Sequence, residues 1–394
     1  MKILIIHPHG NQNVNRVVSL FEKLNVLDCF WTTIAFLFKF RFIFFKKIKF
    51  LFMRELIRKF CTLFRLKKLY INEDSFFSVY SVYKELDFNA SSYINNNAKK
   101  INIIYSYEDC ALNSFQLAKH QGIKTVYDLT SPYWKLKKKI LDYEIKLHPD
   151  WNLSTTEIIT DIKSINKDQE ILLSDQIIVA SKFTAESLQH YFKKILNINI
   201  IPYGVTESKN FQINKRKSNE KLKIIFAGRP IVSKGIHYIV ETLRNIDLPW
   251  QLEIAGSIPE KPEQISKNLL LFFKDSRCKF LGQIKNDKLL ERIKNSHVFL
   301  FPSLYDGFGQ VLLEAASLGV PIITTENTGA PDFMVNKKDG FITPIRDIIK
   351  TTEILHELYN NENYRMFIAQ NSFLTSKKFT WTNYQNKLKE ILFK

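Results

Sequence analysis

Two carboxylates eight residues apart, Asp306 and Glu314, are placed to do chemistry in the segment HVFLFPSLYDGFGQVLLEAASLGVPIITT, residues 297–325. The apolar run that begins the segment predicts a buried strand, and the apolar spacing after Gly309 predicts a helix. Asp306 then falls in the loop after the strand, and Glu314 falls on the helix. A helix start offers free N–H groups, and glycine lets a ligand approach the backbone. The segment therefore predicts a site for a polar, partly anionic ligand.

Positive charge is supplied by a second strand–loop–helix pattern, which begins with the apolar run 222–227. Gly228 and Arg229 follow the run, and Lys234 comes just before the next helical pattern. Arginine offers a bidentate fork to phosphate, whereas lysine offers a point charge. A diphosphate needs such partners at a helix start. The two patterns together predict a diphosphate site with acids beside it.

These residues carry a resemblance to a known family. The run PS-x-x-D-G-F-G-x-x-x-L-E-A resembles the acid–seven residues–acid motif of GT-B glycosyltransferases, specifically the retaining family 4. The G-R…K-G pair resembles the nucleotide-diphosphate clamp of the same family. That family usually has Glu at the first acid, where this chain has Asp306, a side chain one methylene shorter. The resemblance covers the second half of the chain densely and the first half loosely.

The resemblance implies an α/β fold of the GT-B type. Two Rossmann-like domains with parallel sheets would face a central cleft, and the C-terminal helix would cross back to the first domain. The expected boundaries are 1–205 for an acceptor-side domain, 206–220 for a linker, 221–375 for a donor domain and 376–394 for the crossover helix. Such domains bind ligands at the carboxyl ends of their strands.

The resemblance also implies a role for each site residue. Glu314 would bind the ribose hydroxyls, and Asp306 would orient the donor sugar. Arg229 and Lys234 would stabilise the charge that builds on the leaving diphosphate. The rest of the donor site would consist of Gly228, Gln283, Phe308, Gly309, Gln310 and Val311. No metal or other cofactor is expected, because the cationic side chains and the helix dipole replace it, and the family transfers with retention.

On the acceptor side, the candidates follow predicted strands of the first half or lie in nearby loops. His9 and Gly10 follow the first strand, although His9 could simply be a turn residue. Tyr133 could stack on an acceptor sugar or could pack on the next helix. The YDL-x-x-x-YW run and the HPDW run that begins at His148 resemble a bacterial subgroup linked to surface polysaccharides.

Residues 36–68 alternate Phe, Ile and Leu with Lys and Arg, and Glu55 is the only acid among them. The stretch is too charged to span a bilayer. It predicts an amphipathic helix or helical pair lying on an anionic membrane surface. A nucleic-acid patch and a packed helical hairpin with a basic solvent face are the alternatives. Nucleic-acid binders usually carry less aliphatic bulk.

Length and composition limit the number of domains, the kind of partner and the expected location of the protein. A chain of 394 residues predicts two or three domains, and the net charge of +18 favours an anionic partner. The four cysteines show no metal spacing, which is typical of reduced thiols in a cytosolic protein. No signal peptide is evident, and no run of 18 apolar residues occurs. The expected location is cytoplasmic and peripheral on the inner face of the plasma membrane.

The predicted function is transfer of a sugar from a nucleotide diphosphate sugar to a glycan or lipid-linked acceptor in cell-surface polysaccharide synthesis. Three alternatives stay open: a nucleotide-sugar epimerase of the same fold, a basic nucleic-acid-binding protein, and an inactive interaction protein in which Asp306 has replaced the usual acid. Acids beside the basic site argue against nucleic acid, because they would repel a phosphate backbone.

Overall fold

The computed structural model describes residues 1–8, 11–33, 47–64, 66–73, 75–151, 159–193, 196–206, 211, 214–217, 219–258 and 265–393. The chain packs into two compact units. The first unit comprises Met1–Thr130, Ile159–Val179 and Lys194–Asn199, and the second comprises Ser131–Ile158, Ala180–Lys193 and Ile200–Lys394. The second unit thus includes segments that precede the predicted linker at 206–220.

Strands alternate with helices through most of the chain. The strands are β1 (Ile3–Ile6), β2 (Leu27–Thr33), β3 (Ile48–Leu51), β4 (Ile103–Tyr107), β5 (Lys124–Leu129), β6 (Gln176–Val179), β7 (Ile198–Ile200), β8 (Leu222–Ala227), β9 (Trp250–Ala255), β10 (Cys278–Gly282), β11 (Val298–Phe301), β12 (Ile322–Thr325) and β13 (Phe341–Thr343). Most are short and apolar on both faces, as strands covered by helices on both sides must be.

Several of the longer helices bury apolar side chains on one face, and the helices lie mostly between the strands. They are α1 (Gln12–Lys23), α2 (Met53–Leu63), α3 (Val79–Asn97), α4 (Leu112–Gln121), α5 (Trp134–Leu147), α6 (Asp161–Leu173), α7 (Lys182–Tyr191), α8 (Ile236–Asn245), α9 (Lys267–Phe272), α10 (Asn286–Lys294), α11 (Gln310–Ser317), α12 (Ala330–Phe333), α13 (Ile348–Asn360), α14 (Glu362–Ser376) and α15 (Trp381–Phe393). Ser181 is the N-cap of α7, since its Oγ accepts the Thr184 N–H at 3.1 Å.

The first unit is built on a sheet with strand order β3-β2-β1-β4-β5-β6-β7. Its pairings from β3 to β6 are parallel. The chain starts in the middle with β1, runs to one edge, and returns beside β1 with β4. All four residues of β1 are fully buried, so this strand lies at the centre of the core.

The second unit repeats this winding in a parallel sheet of order β10-β9-β8-β11-β12-β13. The order reverses between β8 and β11, which are hydrogen-bonded neighbours with Val298 opposite Ile224. In such doubly wound sheets, ligands bind outside the carboxyl ends of the strands at the point of reversal. The loops after β8 and β11 are therefore the place to look for a site.

Part of the basic stretch 36–68 is not helical. Residues 48–51 form the edge strand β3, parallel to β2, which corrects the prediction of helix there. Neither β2 nor β3 was predicted from the pattern of the sequence. The helix α2 agrees with the prediction, and residues 34–46 lie outside the described part of the chain. Over the residues that the structure describes, no helix is both long and apolar enough to cross a bilayer.

Candidate functional site

The loops that follow β8 and β11 are bonded directly to each other. The Leu304 N–H donates to the Ser233 carbonyl oxygen at 2.9 Å, and the Ser303 hydroxyl donates to the same oxygen at 3.1 Å. Ser233 precedes Lys234, and Leu304 lies two residues before Asp306. These bonds therefore fix the lysine and the aspartate on facing loops at the point of reversal.

Gly235 is required where the first loop enters α8. Its φ is +69°, and a Cβ placed there would lie 1.9 Å from the Pro302 carbonyl oxygen. A side chain would therefore push the two loops apart as well as strain the backbone. The sequence shows this as the K-G pair of the clamp, with Gly235 next to Lys234.

Lys234 and Asp306 form an ion pair, with 2.5 Å between Nζ and Oδ2. The Asp306 Oδ1 accepts the backbone N–H groups of Phe308 and Gly309, at 3.1 and 2.8 Å. Burial raises the pKa of the Asp306 carboxyl, but the ammonium and the two amides outweigh burial and hold it below its ordinary value. Asp306 therefore stays ionised, and it orients Lys234 as well as the turn into α11.

Glu314 lies one helical turn after the start of α11 and is half-buried. Burial raises the pKa of its carboxyl to about 7. Among the described residues, none donates a hydrogen bond to this carboxylate. A half-buried carboxylate without donors is unfavourable in its ionised form, and a ligand that brought hydroxyl groups would relieve this.

The other predicted donor-site residues take different positions. The Phe308 ring is buried, and its centroid lies 5.3 Å from that of Tyr203, so it packs beneath the surface and supports the loop after β11. The Gln310 amide donates to the Gly204 carbonyl oxygen at 2.9 Å. Gly309 has a φ of +76° and starts α11, which continues through the half-buried Val311.

Gly228 and Arg229 follow β8, and the Arg229 side chain is half-buried. Gln283 is exposed and follows β10, an edge strand two positions from β8. At about 4.8 Å between strands, this separates Gln283 from the β8 loop by about 10 Å. The structure thus brings Lys234 and Asp306 into contact and places Gln283 to one side of them.

Comparison with known proteins identifies this part of the chain. Residues 207–374 match the family model described as Glycosyl transferases group 1. The chain carries a glycosyl transferases group 1 domain. That domain contains both loops of the site and all of the second sheet. The resemblance to glycosyltransferases is confirmed, whereas membership of the retaining family 4 stays a prediction.

A curated relative agrees with this assignment. The capsular polysaccharide biosynthesis glycosyltransferase CapM of Staphylococcus aureus is 31% identical over 206 residues, which are 48% of this chain and 54% of CapM. The chain spans about half the length of the curated relatives it matches.

Solved structures match over almost the whole chain. Sucrose-phosphate synthase from Thermosynechococcus elongatus superposes with a TM-score of 0.74 at 16% identity, covering 99% of this chain and 98% of that one. Anabaena HepE in complex with UDP-glucose gives 0.68 at 13% identity, covering 100% and 99%. Identities this low show the fold alone, and the predicted α/β class with two Rossmann-like parallel sheets is confirmed.

The predicted acceptor-side residues are distributed differently. His9 and Gly10 lie outside the described residues. Tyr133 and His148 belong to the second unit, together with the glycosyl transferases group 1 domain. The Tyr133 ring is buried, and its centroid lies 5.2 Å from that of Tyr191 on α7. An acceptor-side role for these four residues stays a prediction.

A buried charge network next to the group 1 domain was not predicted. Glu144 on α5 is fully buried, and its Oε1 lies 2.8 Å from the His237 Nε2 and accepts the Tyr238 hydroxyl. Its Oε2 accepts the Arg346 Nε–H at 2.8 Å. Burial raises the pKa of Glu144, but these partners outweigh burial and lower it. The network joins α5 to the first turn of α8, directly after the clamp lysine.

The same cluster is the candidate for a metal, because ligand atoms of Glu144, His148 and His237 all lie within 4.8 Å of one another. The Arg346 guanidinium already neutralises the carboxylate, and the His148 Nε2 lies 3.2 Å from the Tyr238 hydroxyl. A divalent cation would have to share this carboxylate with a positive neighbour. The cluster is better explained as a hydrogen-bonded ion pair.

A second unpredicted network lies at the point of reversal in the first sheet, directly after β4. Lys167 forms ion pairs with Glu108 and, at 2.7 Å, with Asp109. Glu170 accepts the Asp109 N–H at 3.1 Å, and burial raises its pKa to about 8. The network ties α6 to the end of β4. It pairs residues about 60 positions apart, a separation that no local sequence pattern reveals.

Proposed function

We propose that the protein is a glycosyltransferase that moves a sugar from a nucleoside diphosphate sugar to a glycan or lipid-linked acceptor in cell-surface polysaccharide synthesis, with retention. The observation that carries the proposal is the ion pair of Lys234 and Asp306 beside the start of α11, at the point of reversal of a glycosyl transferases group 1 domain. Two similar proteins support it: CapM is named for capsular polysaccharide biosynthesis, and HepE was solved with UDP-glucose.

The leaving diphosphate would take its charge partners from the two loops. Lys234 and Arg229 provide positive charge, and the α11 start provides the positive end of a helix dipole. Asp306 holds the Lys234 ammonium in place before the donor arrives, so little rearrangement is needed as negative charge builds on the diphosphate. Electrostatic groups fixed in advance in this way stabilise a transition state more than a ground state.

Glu314 is proposed to bind the ribose of the donor. Its carboxylate is half-buried and has no donor among the described residues, so two ribose hydroxyls would satisfy it. Asp306 would contact the transferred sugar, although its shorter side chain already serves Lys234. No metal takes part in this proposal, because the cations of the two loops take over the role of a divalent ion.

The test is a panel of UDP-, GDP- and ADP-sugars offered to the protein in buffer with EDTA. We expect one nucleotide class to raise the melting temperature and to release its nucleoside diphosphate slowly by transfer to water. The matched control is the Lys234→Ala variant, which should release far less. A protein that binds none of the donors would refute the proposal. Accumulation of an epimerised sugar without acceptor would instead favour an epimerase.

The pH dependence of donor binding follows from Glu314. Its pKa of about 7 means that the carboxylate becomes fully ionised only above neutral pH. The ionised form accepts hydroxyl hydrogen bonds better, so the donor Kd should fall by about tenfold between pH 6 and pH 8. The measurement is calorimetric titration across this range.

The Glu314→Gln variant should bind the donor more weakly and show a flat profile, because an amide does not titrate. Glu326→Gln, at an exposed position, should keep the slope of the parent. A slope that survives in Glu314→Gln would assign the titration to another group.

We further propose that the protein is a cytoplasmic, peripheral protein of the inner plasma membrane face and docks through α2. Several large apolar side chains on and beside this helix are about half exposed or more: Phe52, Met53, Leu56, Phe60, Leu63 and Phe64. Exposed basic residues, Lys59 and Lys68, accompany them. Apolar side chains flanked by lysines suit an anionic interface, where each basic residue contributes about 1 kcal/mol.

Docking predicts co-sedimentation with vesicles that contain anionic lipid and weaker binding at high salt. The variant Phe60→Ser with Leu63→Ser should lose most of this binding and remain folded, because both side chains are exposed. Phe367→Ser, which changes an exposed phenylalanine on α14, is the control. If the double variant sediments like the parent, α2 is not the docking element.

A further inference from the structure

The outer surface of α5 forms a groove that none of the proposed roles uses. The groove has a volume of about 570 Å³, within the range of ligand pockets, and lies wholly in the second unit. Its lining includes two aromatic rings, several lysines and an arginine: Trp134, Lys135, Lys139, Tyr143, Lys146 and Arg346. These residues define what we call the α5 groove.

The charge of the α5 groove is strongly one-sided. The acid in its lining, Asp142, is paired with Lys138 at 2.8 Å. Lys135, Lys139 and Lys146 recur at helical spacing on one face of α5, and all three are exposed. At 1.5 Å per residue the row is about 16 Å long. A row of cations of this length fits an extended polyanion better than a compact anion.

The aromatic side chains give the groove flat apolar surfaces. The Tyr143 side chain is 54% exposed, and the Arg346 guanidinium lies 4.8 Å from its ring centroid. The Lys135 ammonium lies 5.2 Å from the ring centroid of Trp134, which is half-buried. A ring that presents an apolar face beside a cation can stack on the C–H face of a pyranose whose substituents are negatively charged.

The same helix supports the donor site from its inner side. Leu141 and Ile140 pack in one cluster with Val232 and Leu304, each two residues away from Lys234 and Asp306 respectively. A ligand held on the outer side of α5 would therefore be tethered close to the loops of the donor site.

We propose that the α5 groove binds an anionic glycan, a chain of sugars bearing carboxylates or phosphates. The inference rests on the proposed function, since it names the class of glycan that a surface-polysaccharide enzyme would hold. The groove is shallow but follows a row of lysines about 16 Å long, which suits an extended chain. Cations beside stacking rings would also accept single-stranded nucleic acid, and the experiment separates these ligands.

The experiment titrates the full chain with four probes at fixed salt: a polyuronate oligosaccharide, a neutral maltooligosaccharide of equal length, a single-stranded oligonucleotide, and vesicles with anionic lipid. We expect the polyuronate to bind more tightly than the neutral chain. The triple variant Lys135→Gln, Lys139→Gln, Lys146→Gln should weaken polyuronate binding by roughly tenfold, at the strength of three exposed ion pairs. The matched control removes the same charge elsewhere, at the exposed Lys274, Lys279 and Lys288.

Four results would overturn the inference. They are equal affinity for the acidic and neutral chains, equal loss in both triple variants, an oligonucleotide that outcompetes the polyuronate in a groove-dependent way, and groove-dependent binding of the vesicles. Donor binding is measured in parallel on the same variants and should be unchanged. If the protein binds a nucleotide sugar but not the polyuronate, only the proposal for the α5 groove is refuted. If it binds no nucleotide sugar, the proposed function is refuted.

Discussion

Replacing Lys234 with alanine is expected to lower kcat by about 100- to 1,000-fold, as loss of one preorganised group that stabilises transition-state charge does. In the structure the Lys234 ammonium is held 2.5 Å from the Asp306 Oδ2 and beside the α11 start. Negative charge on the leaving diphosphate builds as the sugar bond breaks, so the interaction is strongest in the transition state. The measurement is nucleoside diphosphate release at saturating donor.

The donor Kd should change much less than kcat in Lys234→Ala, because Arg229 and the helix start still attract the ground-state diphosphate. Lys234→Arg keeps the charge but not the shape, and should restore part of the rate. Lys279→Ala, at an exposed position, is the control for loss of one positive charge. A kcat within a few fold of the parent in Lys234→Ala would remove the lysine from the clamp.

The Lys234→Ala substitution also removes the cation that faces the Asp306 carboxylate. Without the ammonium, the half-buried carboxylate keeps the two backbone N–H donors but loses its cation, so the pKa of Asp306 should rise. The added variant Asp306→Asn removes that charge. If the double variant melts at a higher temperature than Lys234→Ala, the carboxylate left without its cation had destabilised the loop. The single variant Asp306→Asn then shows how much of the activity the aspartate itself accounts for.

The site loops were predictable because their information is local. A short apolar run, a loop with glycines and an amphipathic helix identify β11, the Asp306 loop and α11 from adjacent residues. The clamp loop was found in the same way. The sequence could not show that Lys234 and Asp306 pair with each other, because that contact depends on Gly235 meeting Pro302 across 67 residues.

The features that could not be predicted from the sequence depend mostly on contacts between residues that are far apart in the chain. Strand β3 is extended because it pairs with β2 at the sheet edge, which outweighs the amphipathic helical pattern of its own residues. Tyr133 is an aromatic residue after a strand, and only the packing of Tyr191 against it shows that its ring is buried. A pattern of residue types does not distinguish an exposed ring from a buried one.

The Glu144 network is the clearest such case, because its members are separated by up to 202 residues in the chain. Replacing Glu144 with leucine should destabilise the second unit by about 3–5 kcal/mol, the usual effect of removing one partner of a buried ion pair. The variant leaves the His237 ring, the Tyr238 hydroxyl and the Arg346 guanidinium without their shared acceptor. Urea unfolding followed by a probe in the second unit measures the change.

The pH dependence gives the variant a second readout. The pKa of Glu144 is lowered in the folded protein, so its contribution to stability is present above the unfolded pKa and is lost as pH falls through the folded pKa. The stability difference between parent and Glu144→Leu should therefore shrink towards acid pH.

Controls separate the charge network from simple packing. Glu144→Gln keeps the size and one acceptor oxygen, so it should be destabilised by less than Glu144→Leu. Adding Arg346→Leu to Glu144→Leu removes the stranded cation and should recover part of the lost stability, a coupling that independent sites would not show. Full additivity would mean that the two side chains do not act as a pair. Because α5 packs beside both site loops, Glu144→Leu should also lower kcat, whereas a purely peripheral ion pair would leave turnover unchanged.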